Sequence, residues 1–392
     1  MNIAYLYPWD VVGDPTAPGR IADLGVEAVA LAASYHSTRA ATPYHPNHRV
    51  LDVAHSAFYL PVRQDAWGPV VPASPTWTPP DAYLTARDAL KAVGLKVLAW
   101  TVLTHNSYLG SKHPGLATRN AFGDLYAHAL CPAHPEVIDY CERLTREILT
   151  VAEPDGLILE SCGPMGFGHQ NMHEKTAGAD WNGPLGDLLS LCFCTACAPR
   201  YPEGTREHVK RIIDTQAPSS TTTAAALADR AQAVQEVRLS LSTHLRQRLI
   251  SVARELSPET PITLHANPDP WAAGAFAALP NGEPDADVLV GNCWGDPTAD
   301  ADRLTTLANI ANRANTADTP TSAAKPSPAA ARPTPQRIGA YVLALPPRPA
   351  DATVLADQMA TYAKAGATEL HLYHAGLASP ARLSALRAAI NR

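Results

Sequence analysis

The residue best placed to do chemistry is Glu160, which ends the short apolar run 156–160 and precedes the turn-forming sequence Ser-Cys-Gly-Pro-Met-Gly. An acidic side chain in this position lies at the end of a buried strand. If the strand belongs to a parallel (β/α)₈ barrel, its carboxyl end faces the mouth of the barrel, where such folds build their active sites. A carboxylate there can act as a nucleophile, a general acid or a general base.

Cleavage of a glycosidic bond usually requires two carboxyl groups, one on each side of the bond. Three aspartates follow other apolar runs and could supply the second group: Asp296, Asp269 and Asp10. Asp296 and Asp269 adjoin proline, a pairing that favours turns, and an ordinary loop residue is the simpler explanation for any one of the three. Asp296, in the sequence Asn-Cys-Trp-Gly-Asp-Pro, is the preferred partner of Glu160, and the other two remain alternatives.

Many further aromatic, amide, imidazole and carboxylate side chains follow the apolar runs. The predicted substrate-binding residues are Trp9, Asp10, His36, His105, Asn106, His265, Asn267, Asp269, Trp271, Asn292, Trp294, Tyr373 and His374. Flat rings can pack against the C–H faces of a sugar, and amides and imidazoles can bind its hydroxyl groups. Each residue alone could be an ordinary loop residue, but their accumulation at strand ends predicts a small carbohydrate as the substrate.

A second motif is the cysteine cluster Cys192, Cys194 and Cys197, with the spacing C-x-C-x₂-C. Three thiolates so close together could bind one tetrahedral Zn²⁺ if a fourth ligand completes the site. The candidates for that ligand are Cys131, Cys141, Cys162, His169 and His173. Such a closed site would be structural, so no cofactor is predicted for catalysis; the alternative is three reduced thiols packed in a turn.

The elements that must position these residues alternate between short apolar runs and helical segments. The eight runs are 3–7, 28–33, 96–102, 156–160, 262–266, 288–291, 339–344 and 369–373. Nearly continuous apolar character is typical of parallel strands that are covered on both faces. Eight alternations predict an α/β fold, a (β/α)₈ TIM barrel, in a single domain spanning residues 1–392.

Two connections are much longer than the others. Residues 34–78 follow the second run and residues 161–260 follow the fourth, so we predict two insertions at the catalytic face. A third segment, 314–336, is rich in Ala, Pro, Ser and Thr and is predicted to be a low-complexity surface loop.

The overall composition argues against some classes of binding partner. A net charge of −6, with 17% charged residues, argues against a nucleic-acid-binding surface. No apolar run approaches the roughly 20 residues that span a bilayer, and the amino terminus lacks the pattern of a signal peptide. Seven cysteines without a secretion signal suit reduced thiols or a metal. We therefore expect a cytoplasmic protein with no membrane partner; the sequence does not indicate its oligomeric state.

The stretch from about 101 to 200 carries a family resemblance. It contains Cys131-Pro132 and Pro135 ahead of a helix, the run ending at Glu160, and the Cys-Phe-Cys-x-x-Cys motif. In these features it resembles glycoside-hydrolase-like barrel proteins. The spacing of its cysteine motif is similar to that of the zinc-binding cysteines of glycoside hydrolase family 42 β-galactosidases.

The resemblance implies two possible roles for Glu160. In the family 42 pattern Glu160 would match the general acid/base, and a glutamate nucleophile would follow the seventh strand. Here the seventh run ends in Ala-Leu-Pro-Pro, without an acid. In other glycosidase barrels the fourth strand carries the nucleophile and the sixth carries the acid, which would make Glu160 the nucleophile and Asp296 the acid.

The resulting prediction is a glycoside hydrolase acting on a small oligosaccharide or glycoside. Two alternatives stay open. One is a metal-dependent sugar isomerase or epimerase that uses Glu160 with histidine and aspartate ligands, and the other is a carbohydrate-binding barrel without catalytic activity.

Overall fold

Eight parallel strands close into a barrel in the computed structural model, which describes residues 1–168, 175–215, 222–317 and 335–392. The strands of the described chain are β1 (Asn2–Leu6), β2 (Ala28–Tyr35), β3 (Thr38–Ala41), β4 (Val50–Val53), β5 (Ala57–Phe58), β6 (Lys96–Val102), β7 (Ala117–Arg119), β8 (Leu125–Leu130), β9 (Gly156–Glu160), β10 (Ile262–Asn267), β11 (Ala277–Ala278), β12 (Val288–Cys293), β13 (Arg337–Leu343) and β14 (Glu369–Tyr373).

The barrel strands follow one another in the order β1, β2, β6, β9, β10, β12, β13 and β14, and all their pairings are parallel. Strand β1 pairs with both β2 and β14, which closes the sheet on itself. Every residue of β2 and β9 is buried, as expected for strands covered on both faces. The predicted (β/α)₈ fold is confirmed, and each of the eight apolar runs forms one barrel strand.

The helices between the strands are α1 (Ala17–Ala22), α2 (Ala82–Ala92), α3 (Ser107–Lys112), α4 (Pro135–Glu147), α5 (Pro184–Leu189), α6 (Thr205–Asp214), α7 (Thr223–Leu227), α8 (Ala231–Leu256), α9 (Pro297–Ala317), α10 (Ala352–Lys364) and α11 (Pro380–Ile390). The ends of α10 show why its sequence is helical. The Asp351 carboxylate accepts hydrogen bonds from the Thr353 and Val354 amides, and Gly366, with a φ of 104°, turns the chain towards β14.

The connections have structure of their own. In 34–78, β3 and β4 form an antiparallel pair and β5 pairs antiparallel with β2. The connection 161–260 contains α5 to α8. Of the predicted loop 314–336, residues 318–334 lie outside the described chain. The structure corrects its start, since α9 continues through Ala317.

Two large hydrophobic clusters fill the interior of the described chain, and a minor third one has only three buried residues. The larger one includes the barrel strands and the inner faces of the surrounding helices. The smaller one lies in the connection after β9 and packs Leu188, Phe193 and Leu227 around the cysteines. Helix α8 takes part in both clusters. Within the described residues, no helix combines the length and the apolar character that crossing a membrane requires.

A buried ion pair joins α8 to the loop before β12. Arg246 Nε lies 3.0 Å from Glu283 Oε2, and the two side chains are only 6% and 4% exposed. Replacing Glu283 with alanine leaves the guanidinium buried without this partner. We expect the free energy of unfolding, measured by urea denaturation, to fall by about 3–5 kcal/mol.

Asp52→Ala is the matched control for that variant. The Arg39–Asp52 pair is 3.3 Å apart but 76% and 73% exposed, so solvent screens it. Its loss should cost less than about 1 kcal/mol. Equal effects of the two substitutions would contradict a role for burial.

Candidate active site

A cavity of about 470 Å³ lies at the carboxyl ends of the barrel strands. This volume falls within the range of sites that bind small molecules. Among the described residues that line it, Glu160 is the only one with a carboxylate. The lining residues are Tyr35, His36, Trp100, Glu160, Gly168, Asn267, Ala272, Ala273, Gly274, Ala275, Phe276, Asn292, Trp294, Tyr341 and Tyr373.

The parallel sheet explains why these side chains meet. Tyr35, Glu160, Asn267 and Tyr373 are the last residues of β2, β9, β10 and β14. Because parallel strands of a barrel end on the same rim, their last side chains are brought together there. The chain turns directly after Glu160 at Ser161, whose φ of 55° is unusual for a residue other than glycine.

Glu160 is buried, with only 4% of its surface exposed, and its Oε2 has two nitrogen neighbours. The indole Nε1 of Trp100 donates a hydrogen bond to Oε2 at 2.7 Å. The imidazole Nδ1 of His265 lies 3.2 Å from the same oxygen. Burial by itself would raise the pKa of this carboxyl, but the contacts with His265 and Trp100 outweigh burial and hold the pKa below its usual range. Glu160 is therefore ionised at neutral pH.

Aromatic rings form the walls around the carboxylate. Tyr35 meets Trp100 edge-on, with ring centroids 4.6 Å apart. Trp294 stacks on Tyr341 at 5.3 Å and contacts Tyr373 at 4.7 Å, and Tyr373 in turn meets Trp100 edge-on at 6.3 Å. Such walls offer apolar faces to a ligand, and the amides of Asn267 and Asn292 add hydrogen-bonding groups.

Of the predicted substrate-binding residues, those that line the cavity are His36, Asn267, Asn292, Trp294 and Tyr373. His265 does not line the cavity but contacts Glu160 directly. His105 lies behind the wall, stacked on His36 with 4.1 Å between ring centroids.

Three predicted residues lie beside the cavity without lining it. Trp9 and His374 both pack on the ring of Tyr7, with centroids 4.5 and 4.3 Å away. Asp10 accepts a hydrogen bond from the Tyr7 amide and faces a small separate pocket that also contains Arg20. Burial raises the pKa of Asp10 to about 7 and lowers that of His374 to about 3.

Three others have structural contacts away from the cavity. Asn106 accepts from the Leu109 amide and so caps α3. Asp269 is exposed and accepts from the Trp271 amide in a turn. Trp271 packs in the smaller hydrophobic cluster.

Asp296, predicted as the second catalytic acid, lies at the start of α9. Its Oδ1 accepts hydrogen bonds from the amides of Thr298 and Ala299 at 3.0 and 3.2 Å. The residue is exposed and does not line the cavity. The contacts of Asp296 are those of a helix cap.

The structure also brings residues to the site that the sequence prediction did not select. Trp100, Phe276 and Tyr341 line the cavity, and Tyr5 contacts His265 from below. Trp100, Tyr341 and Tyr5 lie within apolar strands, where an aromatic residue is usually only a core residue. A large side chain with a polar end inside a barrel strand is the signal that could have identified these three.

The cysteine cluster is a separate site in which the structure selects Cys131 as the fourth member. The sulfur atoms of Cys131, Cys192, Cys194 and Cys197 all lie within 4.8 Å of one another and are buried. Cys131 Sγ is 3.4 Å from that of Cys197 and 3.7 Å from that of Cys194. These separations are far longer than a disulfide bond of about 2.05 Å.

Four such sulfurs fit one tetrahedral metal ion. Zn–S bonds of about 2.3 Å place the sulfurs of a tetrahedral site just under 4 Å apart. Hydrogen bonds from the neighbouring thiols hold the pKa of Cys194 far below its ordinary value, and Cys194 in turn raises the pKa of His134. The other candidate cysteines, Cys141 and Cys162, belong to the main core. His169 and His173 lie outside the described residues.

No protein-family model and no curated protein sequence matches this chain. Several solved structures are similar in three dimensions. The PgaB (BpsB) glycoside hydrolase domain from Bordetella bronchiseptica is 14% identical with a TM-score of 0.56, over 98% of this chain and 97% of that one. The catalytic domain of β-amylase from Paenibacillus polymyxa is 13% identical with a TM-score of 0.54, over 100% and 97%.

A third similar structure is a catalytic mutant of Gan42B, a GH42 β-galactosidase from G. stearothermophilus. It is 10% identical with a TM-score of 0.53, and the match covers 100% of this chain but 56% of that one. At these identities the similarity shows a common fold. The barrel and the cysteine cluster that the resemblance led us to expect are both present.

Proposed function

We propose that this chain is a glycoside hydrolase whose active site is the cavity around Glu160. The observation that carries the proposal is a buried carboxylate with two nitrogen neighbours, inside an aromatic-walled cavity of about 470 Å³ at the carboxyl end of a (β/α)₈ barrel. The fold shared with a glycoside hydrolase domain, a β-amylase and a β-galactosidase supports it.

The proposed role of Glu160 is that of nucleophile. A carboxylate kept ionised by two nitrogen neighbours is suited to attack an anomeric carbon and poorly suited to donate a proton. In this step a bond forms between a Glu160 oxygen and the anomeric carbon while the bond to the leaving oxygen breaks. The leaving oxygen takes the bonding electrons and is then protonated by solvent. Water then hydrolyses the glycosyl-enzyme and releases the carboxylate.

The substrate is proposed to be a small oligosaccharide or glycoside. The volume of the cavity suits one or two sugar rings, with Trp294, Tyr341 and Tyr373 providing the stacking faces. Asn267 and Asn292 would bind hydroxyl groups, since each amide offers both a donor and an acceptor.

The carbohydrate-binding barrel is the second candidate, because Glu160 is the only carboxylate among the described lining residues. The isomerase has less support. In the described part of the chain, the cysteine cluster is the only group of three or more possible ligands arranged to hold a metal ion.

Replacing Glu160 with glutamine tests the proposal. Glutamine keeps the shape but cannot act as the nucleophile, so we expect hydrolysis of aryl glycosides to fall by on the order of 10³-fold or more. The loss should be as large with a dinitrophenyl leaving group, which needs no protonation, as with a poor one. Binding of the sugar with no turnover by the wild-type protein would instead favour the binding barrel.

Asp296→Asn is the companion variant. Asparagine caps helices as well as aspartate does, so we expect wild-type rates with every leaving group. A loss confined to poor leaving groups would give Asp296 the role of the general acid that the sequence predicts. An unchanged rate in the Glu160 variant would overturn the assignment of the nucleophile.

The pH dependence of hydrolysis tests the environment of Glu160. Its pKa is below the ordinary value of 4.5, so Glu160 loses its charge only as the pH falls below that value. The acidic limb of kcat/KM should therefore lie below pH 4.5. Trp100→Phe removes one donor to the carboxylate and should move this limb upward by about 1–2 pH units.

Trp67→Phe is the control for the loss of an indole. Trp67 is buried, and its Nε1 has no hydrogen-bond partner in the described part of the chain. Its replacement should leave the acidic limb unchanged. A similar shift in both variants would mean that Trp100 acts through packing and not through its hydrogen bond.

We also propose that the four cysteines bind a structural Zn²⁺, for which the donor set and the sulfur separations give the support. The protein should contain about one zinc per chain by elemental analysis. Cys131→Ala should lose the metal and lower the Tm by roughly 5–10 °C, as expected when a tightly bound ligand is lost.

Cys141→Ala is the matched control, because Cys141 is equally buried but lies in α4 within the main core. It should retain the zinc. Full zinc content in the Cys131 variant would exclude Cys131 as a ligand.

A further inference from the structure

A chain of buried polar groups runs from the cavity through the interior of the barrel. His265, whose Nδ1 contacts Glu160, has its Nε2 2.9 Å from the Tyr5 hydroxyl. The same hydroxyl lies 3.0 Å from His371 Nδ1. His371 Nε2 is in turn 3.5 Å from Glu369 Oε2, and Arg337 pairs with the other oxygen of Glu369.

The Tyr5 hydroxyl limits how this chain can be protonated. It has one proton and two imidazole nitrogens within hydrogen-bonding distance, so it can donate to only one of them. The other nitrogen must carry its own proton and donate to the phenol oxygen, because two facing lone pairs would repel each other. Tyr5 stays a phenol, since burial raises its pKa well above the ordinary value.

Each of the two arrangements needs one additional proton. If His265 donates to Tyr5, its Nδ1 must be protonated as well, or a bare nitrogen would face the Glu160 carboxylate at 3.2 Å. If His371 donates to Tyr5, its Nε2 faces Glu369 in the same way. If both rings are neutral and both carboxylates are ionised, one contact between an imidazole nitrogen and a carboxylate is therefore repulsive in either arrangement.

We propose that the pair His265 and His371 holds one proton more than two neutral rings, and that this proton makes His265 the imidazolium counter-ion of Glu160. The charges at the two ends favour this location. Glu369 already has Arg337 as a partner, whereas Glu160 has His265 and the neutral indole of Trp100 in contact and His36 acting by charge alone. An attraction between opposite charges in contact is strong where water is excluded.

The neighbours of the two imidazole rings also favour placing the additional proton on His265. His265 is packed against the rings of Phe276 and Tyr341, with Glu160 and Tyr5 as its polar neighbours. His371 faces Tyr5, Glu369 and the close backbone of Gly339, and it is repelled by His265 and the amino terminus. Burial keeps the pKa of His371 below its ordinary value despite Glu369.

With this proton on His265, Tyr5 and His265 act as positioning residues for Glu160. Tyr5 accepts from His265, which fixes the ring so that its other nitrogen faces the carboxylate. The protonation state is a property of the folded chain by itself. Only its catalytic meaning, a counter-ion that keeps the nucleophile ionised, rests on the proposed function.

The test is the protonation state of the two rings by NMR of the full chain with ¹⁵N-labelled histidine. His265→Gln and His371→Gln identify the two sets of signals. At pH 7 we expect His265 to be an imidazolium and His371 a neutral ring. Tyr5→Phe removes the hydroxyl that faces both rings. Each ring can then place its single proton on the nitrogen that faces its carboxylate, so both rings should be neutral.

Tyr83→Phe is the control, because Tyr83 is fully buried in α2 and its hydroxyl has no hydrogen-bond partner in the described part of the chain. It should leave both signals unchanged. Two neutral rings in the wild-type protein would overturn the inference even if Tyr5→Phe did not fold, as would an imidazolium that survives in Tyr5→Phe. Because no substrate is used, this outcome is independent of whether the chain hydrolyses glycosides.

Discussion

The site depends on one buried carboxylate that the fold keeps charged. Removing an ionised glutamate from water costs several kcal/mol unless neighbouring groups replace the lost solvation. For Glu160 these groups are Trp100 and His265, which come from the strands on either side. In the parallel pairing Trp100 lies next to Ile158 and Leu264 next to Leu159, so the register of β6, β9 and β10 sets their distances to the carboxylate. The barrel strands therefore stabilise the charge of Glu160 in addition to forming the cavity.

The interior of this barrel differs from one filled by branched aliphatic residues. Tyr5 is packed between Trp100 and Tyr341, with ring centroids 4.9 and 4.8 Å away, and two histidines lie below and beside it. Aromatic residues fill the volume, but each hydroxyl, indole or imidazole requires a partner once it is buried. The Tyr5 hydroxyl meets this requirement for one nitrogen of His265 and one of His371, and so links groups deep in the barrel with the site at its mouth.

A feature could be predicted from the sequence when the residues that determine it are neighbours in the chain. The eight strands were predictable because each is a continuous apolar run followed by turn residues. Cys131 could not be selected from the sequence alone, since its distance to the other cysteines is set by the tertiary fold. Asp296 illustrates a different difficulty, because an acid after a strand and an acid before a helix look the same in Asp-Pro-Thr. Tyr5 and Tyr341 were counted as strand residues, and nothing local shows that their polar ends meet at the site.

The segment that follows Glu160 contacts the residues just before the cysteine cluster. Thr104 Oγ1 lies 2.8 Å from the carbonyl oxygens of both Ser161 and Gly163 and shares its one proton between them, which fixes the first turn of this segment. A β-carbon at Gly166 would lie 2.2 Å from that of Ser190, so only glycine allows this close approach. Ser190 Oγ also accepts from the Phe167 amide, next to Gly168 in the cavity wall. Ser190 lies two residues before Cys192, so these contacts join the cavity wall to the segment that carries the cysteines.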